Sequence, residues 1–490
     1  MQGKGQWMRD DAPVRLRSRS PVEGLERRRL RPLEVVAQSV SGAAPSAAMA
    51  ATPAIVAVSA GHGTVWSFVI ATVLALLIAG CIARFTRRMA ASGGLYSLTA
   101  KGLTPAAAYA SALASLLGYG LLAAAALVGA IVYLDALIGE VVGATPGRAG
   151  AAVIMAVIGL GTAVLVLRGA RLSARVVLAV ESVSITLMLI VFSLLLAGGP
   201  AAGAPAEPTA MPPPGAGGIL AGVLPALAAF IGFEIATALG TEVRKPFRSV
   251  PRAVGLTAAV TGVLYVFAAQ VQVFGFSATP GGLAGQTEPV VALAAANGWG
   301  WLPVLLDLGL VMSFFACCLA ASTALARVLF SLSRDRVAPR VMGRTHRRFR
   351  TPHVAIAASV PVTTGLPVVL LAAGVPLMSV LVTMLTLAAC GFLLAYLLVC
   401  AAAPVFLHRI GELTWPAVAV SAVIVPILLV VLVAFVVTRP LSGVLLGGLA
   451  VLGAVGYLLL RLRRPAALAA IGVYDETTTG DVLFPHRGAA

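Results

Sequence analysis

Residues 217–252 read GGILAGVLPALAAFIGFEIATALGTEVRKPFRSVPR, an apolar run that passes into a basic loop holding Pro246 and Pro251. The apolar part is long enough to cross a bilayer, yet it carries Pro225, Gly232 and Glu234. In hydrocarbon every backbone N–H and C=O needs a partner, so a broken helix persists only where protein or a water-filled cavity covers it. A carboxylate such as Glu234 costs about 2.5–3.5 kcal/mol at a helix centre on insertion scales. A span that is both interrupted and charged points to a pathway through the membrane.

The rest of the chain agrees with a membrane setting. With 59% hydrophobic and 11% charged residues and a mean hydropathy of +0.99, 490 residues cannot form one soluble core. Apolar runs of about 17–25 residues mark crossing helices. Twelve are read here, over 33–60, 64–84, 106–138, 150–167, 173–197, 217–240, 254–276, 299–330, 353–373, 376–404, 415–437 and 440–461. The expected fold class is therefore all-α integral membrane, with 12 transmembrane helices. The first, third and eighth runs are long and are expected to tilt or to extend beyond the bilayer.

The formal net charge of +17 raises the question of nucleic acid, and its distribution answers it. Apart from Arg148 and Arg439, every Lys and Arg lies in segments 1–32, 84–105, 168–175, 241–253, 327–352, 405–414 or 461–490. These segments alternate along the chain, on one side of the membrane. That is the positive-inside pattern, and it places both termini in the cytoplasm of a cell-membrane protein. The basic loops then serve orientation and anionic headgroups of the lipid bilayer, and nucleic acid is not a partner.

Residues 1–32 form a basic cytosolic arm, without an apolar stretch that ends in a small-residue cleavage site. Residues 198–216 are an extracytoplasmic Pro/Ala/Gly linker, and 465–490 are expected to be an unstructured cytosolic tail. The five cysteines fall within or at the ends of apolar runs without metal spacing, as buried small hydrophobes. The histidines lie in loops, at span ends or in the tail. No nucleophile–base pair or metal set converges, so neither an enzyme nor a cofactor is expected.

A second interruption lies five spans before the first. The opening span contains Gln38-Ser39-Val40-Ser41-Gly42-Ala43-Ala44-Pro45, and the sixth contains Phe230-Ile231-Gly232-Phe233-Glu234. Equivalent breaks five spans apart run in opposite directions, as in a leucine-transporter-like 5+5 inverted repeat. The repeats would occupy 33–197 and 217–404, with two C-terminal helices over 405–464 outside them. Proline removes an N–H and glycine relaxes the backbone. Beyond such a break a half-helix offers free N–H groups to an anion, and the unwound carbonyls suit an ammonium group or a cation. Kinked but packed helices are the simpler alternative for either break alone.

The motif Ala229-Phe230-x-Gly232-Phe233-Glu234, followed by Glu242-x-x-Lys245-Pro246-x-Arg248-x-x-Pro251-Arg252, resembles the sixth helix and following loop of the amino acid–polyamine–organocation permeases. Ala91-Ser92-Gly93-Gly94-Leu95-Tyr96 resembles the loop after their second helix. Residues 326–335, ARVLFSLSRD, with Pro339, resemble the end of their eighth, and Arg350-Thr351-Pro352 the start of their ninth. The resemblance implies a small amine-bearing substrate, an amino acid or a polyamine. It would be held by Ser41, Gly42, Ala43, Ala44 and Pro45 on one side and Phe230, Ile231, Gly232 and Phe233 on the other. Glu234 matches an acidic position linked in such permeases to protonation-dependent gating; the alternative is a packing group bonded to nearby backbone.

Two departures bear on the chemistry. Many of these permeases carry a Gly-Ser/Thr-Gly run at the first break, where this chain has Ser41-Gly42-Ala43-Ala44-Pro45. Some proton-coupled relatives carry a lysine in helix five, whereas Lys4, Lys101 and Lys245 all lie outside the spans. For a coupling H+ the carboxylates are Glu234 and Glu181, with Asp307 near the outer interface as a cheaper, solvated acid. For a coupling Na+ the candidate oxygens are Ser322 and Thr323 on helix eight, unless these hydroxyls bond their own helix. Glu242 is expected to pair with Arg244 and Lys245 on the cytoplasmic face. The reading is a secondary active transporter, a proton or sodium symporter working by alternating access. Its alternatives are an ion-independent amine antiporter and a transporter-like sensor or channel.

Overall fold

A computed structural model describes residues 20, 22–199, 215–279, 281–286, 288–438, 440–469 and 471–475. Most of the 198–216 linker, residues 1–19 of the arm and residues 476–490 of the tail lie outside the described residues, as does Arg439. Among the described residues the regular structure is helical apart from two isolated bridges.

The first break divides one crossing into α1 (Pro32–Gly42) and α2 (Pro45–Ala60). There follow α3 (Thr64–Thr86), a short α4 (Leu95–Gly102), α5 (Pro105–Val142), α6 (Gly147–Leu167) and α7 (Ala170–Gly198). The second half comprises α8 (Ala216–Ala228), α9 (Pro246–Gly275), a short α10 (Pro289–Ala296), α11 (Leu302–Arg334), α12 (His353–Ala372) and α13 (Leu377–Arg409). Helices α14 (Trp415–Thr438), α15 (Pro440–Arg463) and α16 (Pro465–Ala469) complete the chain. Pro32, Pro45, Pro105, Pro246 and Pro289 each open a helix, where the missing N–H would have had no intrahelical partner.

Ten stretches among the described residues are long and apolar enough to cross a membrane. The count falls below twelve for a physical reason. Residues Pro32–Thr86 form one near-continuous helical run that holds α1, α2 and α3. The sixth predicted span is helical only as far as Ala228; residues 229–234 turn, and Ile235–Leu239 coil as a 3-10 helix. The sequence places the break at Phe230–Glu234; the α-helix ends just before it, at Ala228, and does not resume before the end of the span.

The scaffold is built from small side chains. Helix α5 lies along α11 and α13, and its Ala123, Ala126 and Ala130, like Ala316, Ala320 and Ala324 of α11, are buried. Without a hydrophobic drive between helices in lipid, close backbone approach through small residues supplies the packing energy. Against this scaffold sit α1 beside α7, α9 and α11, and α2 and α3 beside α8 and α9. Both breaks therefore lie in the interior of the bundle.

The tail differs from expectation. Instead of being unstructured throughout, 465–475 carries α16 and then residues 471–475, which dock on the end of the bundle that holds the basic loops.

Candidate functional site

The two breaks touch. Ala43 and Ala44 leave the helix, and Ala44 adopts a left-handed conformation (φ 43°, ψ 59°) that costs a non-glycine residue roughly 1–2 kcal/mol. Opposite, Gly232 has φ +96°. A methyl group added to Gly42 would stand 2.4 Å from the Gly232 carbonyl oxygen, and one added to Gly232 would stand 2.3 Å from that of Gly42. Only glycine permits this backbone-on-backbone contact. Ser41, Gly42, Ala43, Pro45, Phe230, Ile231, Gly232 and Phe233 are all buried at this junction, and Ala44 is half-buried.

The freed backbone groups find partners on neighbouring helices. The Tyr265 hydroxyl of α9 reaches both breaks, 3.2 Å from the Ala43 carbonyl and 3.0 Å from that of Ala229. Its ring packs edge-on against Phe230, with centroids 5.0 Å apart. Cys317 of α11 donates to the Gly42 carbonyl at 3.4 Å. The N-terminal turn of α2 has no side-chain cap, so its N–H groups and the positive end of its dipole face the break.

Glu234 is fully buried. It accepts a 2.9 Å hydrogen bond from Tyr119 of α5 and a short one from Tyr396 of α13. Tyr396 in turn accepts the Gly232 N–H at 3.3 Å. One carboxylate therefore ties the unwound helix six to two scaffold helices. The backbone N–H groups of Gly232 and of Glu234 itself also reach the carboxyl, so the bonding to nearby backbone expected of a packing group is present beside the two tyrosines.

Behind the first break runs a polar seam between α1/α2, α7 and α11. Toward the end that holds the basic loops, Gln38 donates to Ser173 at 3.3 Å, and Ser173 lies 3.3 Å from the Thr323 hydroxyl. In the middle Ser313 donates to Glu181 at 3.2 Å. The buried Ser41 hydroxyl faces Glu181, whose Oε2 has no closer hydrogen-bond partner. Beyond it Ser46 and Ser184 are 2.6 Å apart, and Ser184 donates to the Gly309 carbonyl at 2.7 Å. A buried carboxylate is costly in this setting, and a proton or a cation relieves the cost.

Other predicted residues stand differently. Ser322 is buried with its hydroxyl toward the Cys318 thiol one turn earlier, while the Thr323 carbonyl accepts a 2.8 Å hydrogen bond from the Arg327 guanidinium. Asp307 is not a solvated surface acid, being only 6% exposed near the N-terminal end of α11. Glu242 does not pair with its neighbours Arg244 and Lys245. It forms a bidentate pair with Arg327, whose side chain is 1% exposed, one bond being 3.2 Å long. Just outside the spans, burial raises the Asp335 carboxyl above the usual range; donors from Tyr96, Gly472 and Val473 and the charge of Lys101 oppose that rise. Burial, reinforced by the Asp335 charge, pushes the Tyr96 hydroxyl up.

Tyr119, Tyr265, Tyr396, Ser173 and Ser313 are missed by motif reading. A signal for the tyrosines does exist. The chain has only eight, and a phenol inside a membrane span must find a partner for its O–H.

The chain is a many-helix membrane bundle with two broken helices in mutual contact beside buried carboxylates. The chain belongs to the amino acid permease family, whose model matches residues 33–449. It is thus a multi-pass membrane protein of that family. It is 26% identical to a branched-chain amino acid permease of Bacillus subtilis over 313 residues, covering 61% of this chain and 66% of that one. It is also 26% identical to cationic amino acid transporter 4 of Mus musculus over 357 residues, 69% of this chain and 54% of that one. A third similarity, 32% over 126 residues, is to an uncharacterized transporter of Mycobacterium tuberculosis, covering 25% of this chain and 28% of that one. The matched stretches span less than two thirds of each relative's length.

Proposed function

We propose that the chain is a secondary active transporter for an amino acid or related amine, working by alternating access in a cell membrane with both termini cytoplasmic. It would have twelve crossings, ten of them in an inverted 5+5 repeat. The observation that carries this reading is the Gly42–Gly232 contact, which sets two unwound backbones face to face. The substrate ammonium would take unwound carbonyls around Ser41–Ala44 and Phe230–Phe233, and a carboxylate would take the uncapped start of α2. The relatives' names favour an amino acid over a polyamine, and they extend from branched-chain to cationic types.

Proton coupling is the better supported drive. Glu234 and Glu181 are buried carboxylates at the two breaks, and neither has a cationic partner among the described residues. The Thr323 hydroxyl lies 3.3 Å from Ser173 and its carbonyl accepts from the Arg327 guanidinium, so both oxygens already have protein partners, which favours the proton over sodium. Ionised, Glu234 accepts from both tyrosines; protonated, it offers a donor of its own and the grip on α5 and α13 changes. Transport by Glu234→Gln in liposomes is expected to lose its dependence on pH, while exchange without net proton movement continues. A parent-like pH profile in Glu234→Gln would remove Glu234 from coupling.

A further inference from the structure

The basic, cytosolic end of the bundle carries an assembly that the transport reading leaves unused. Residues 28–30 of the arm pair with the loop after helix six. Arg29 and Leu30 donate to the Glu242 carbonyl at 2.7 and 2.9 Å, and Arg244 donates back to Leu30 at 3.1 Å. The arm also reaches the scaffold, since Arg334 at the end of α11 donates to the Glu23 carbonyl at 2.7 Å.

The tail lies across these parts. The Gly472 and Val473 N–H groups each donate to the Asp335 carboxylate at 3.1 Å, just past the end of α11. Tyr96 of α4 donates to the same carboxylate. Val473 joins Val22, Leu25 and Phe330 in a small apolar cluster. Lys101 of α4 sits 4.2 Å above the Tyr474 ring, and the Asp475 N–H donates to the Ala90 carbonyl at 2.8 Å. The Asp475 carboxylate takes Ser20 Oγ at 2.8 Å and the Arg27 guanidinium at 2.8 Å. Five amino acids, Ile471–Asp475, therefore touch the arm, the α3–α4 turn and the end of α11 together. Charge-assisted and partly buried, these bonds belong to the stronger class.

We propose that residues 471–475 form a bolt on the cytosolic gate, holding the arm and helix-six loop against the end of α11 until the tail withdraws. This rests on the alternating-access reading, because opening to the cytosol then requires those elements to part. The bolt sets how often the inner side opens, through a contact made wholly within the chain.

Thiol accessibility tests it. Thr237 lies in the unwound part of helix six and is only 2% exposed, so a Thr237→Cys thiol reports inner opening. The five native cysteines are buried, and the parent without Thr237→Cys supplies the background. A membrane-impermeant maleimide added to the cytosolic side is expected to react about tenfold faster in Asp475→Asn and Asp335→Asn, the shift that losing one charge-assisted hydrogen bond gives a two-state equilibrium. The charge-swapped pair Arg27→Asp/Asp475→Arg should return labelling to the parent rate, which simple loss of structure would not do. Should Asp335→Asn fail to fold, Asp475→Asn decides alone. Labelling that quickens during turnover but ignores Asp475→Asn overturns the bolt and leaves alternating access standing. A thiol that never reacts during turnover overturns the alternating-access reading itself.

Discussion

Gly232→Ala is expected to abolish transport, lowering the rate at least about a hundredfold in protein that still reaches the membrane. Two costs add. At φ +96° a Cβ is strained by roughly 1–2 kcal/mol, and the new methyl would stand 2.3 Å from the Gly42 carbonyl oxygen. That neighbour is backbone and cannot rotate away, so the two breaks must move apart. Each 1.4 kcal/mol is a factor of ten in rate, so even a partial separation removes the site. Gly42→Ala should act alike, since its methyl would meet the Gly232 carbonyl oxygen at 2.4 Å. Gly80→Ala in α3 is the control: its methyl would meet nothing within 4 Å, and alanine in a helix interior is favoured by about 1 kcal/mol. Near-parent uptake by Gly232→Ala would mean that the breaks need not touch.

The second large effect falls on the buried Arg327–Glu242 pair. Arg327→Met alone or Glu242→Leu alone is expected to cost about 3–5 kcal/mol, because each strands a charge of opposite sign in a dry site. The double variant Arg327→Met/Glu242→Leu should recover more than half of that loss, since neither charge is then left unpaired. Thermal unfolding of purified protein in detergent reads the difference. Strictly additive losses would show that the pair is not a coupled unit. The position raises the stakes, because the Glu242 carbonyl also receives the arm through Arg29 and Leu30.

What could be read from the chain, and what could not, divides by range. Pro45, Gly42 and Gly232 act on their own backbone, so both breaks are visible in a linear string. Glu234 is equally visible, as an unexplained cost in an apolar run. Its partners are not: Tyr119 lies 115 residues away and Tyr396 lies 162 away. Nothing in the local pattern selects those tyrosines over others. Glu242 fails in the same way. Arg244 and Lys245 are adjacent in sequence, but the pairing guanidinium belongs to Arg327, 85 residues on. The burial of Asp307 is hidden in the same way, because its depth depends on how α11 packs and not on its distance from a helix end. The extent of unwinding in helix six was also hidden, since Ile235–Leu239 reads as a good apolar helix. There Ser39 of α1 takes the Ala236 N–H at 2.9 Å, a tertiary bond that supports the non-helical turn.

The most direct measurement is uptake by purified protein in liposomes, with a panel of labelled amino acids and amines and an imposed proton or sodium gradient. The account predicts that at least one amino acid accumulates when the outside is acid, that sodium adds nothing, and that Gly232→Ala liposomes stay at background. Folded protein that neither accumulates nor exchanges any amine-bearing solute, or a Gly232→Ala variant that transports like the parent, would contradict it.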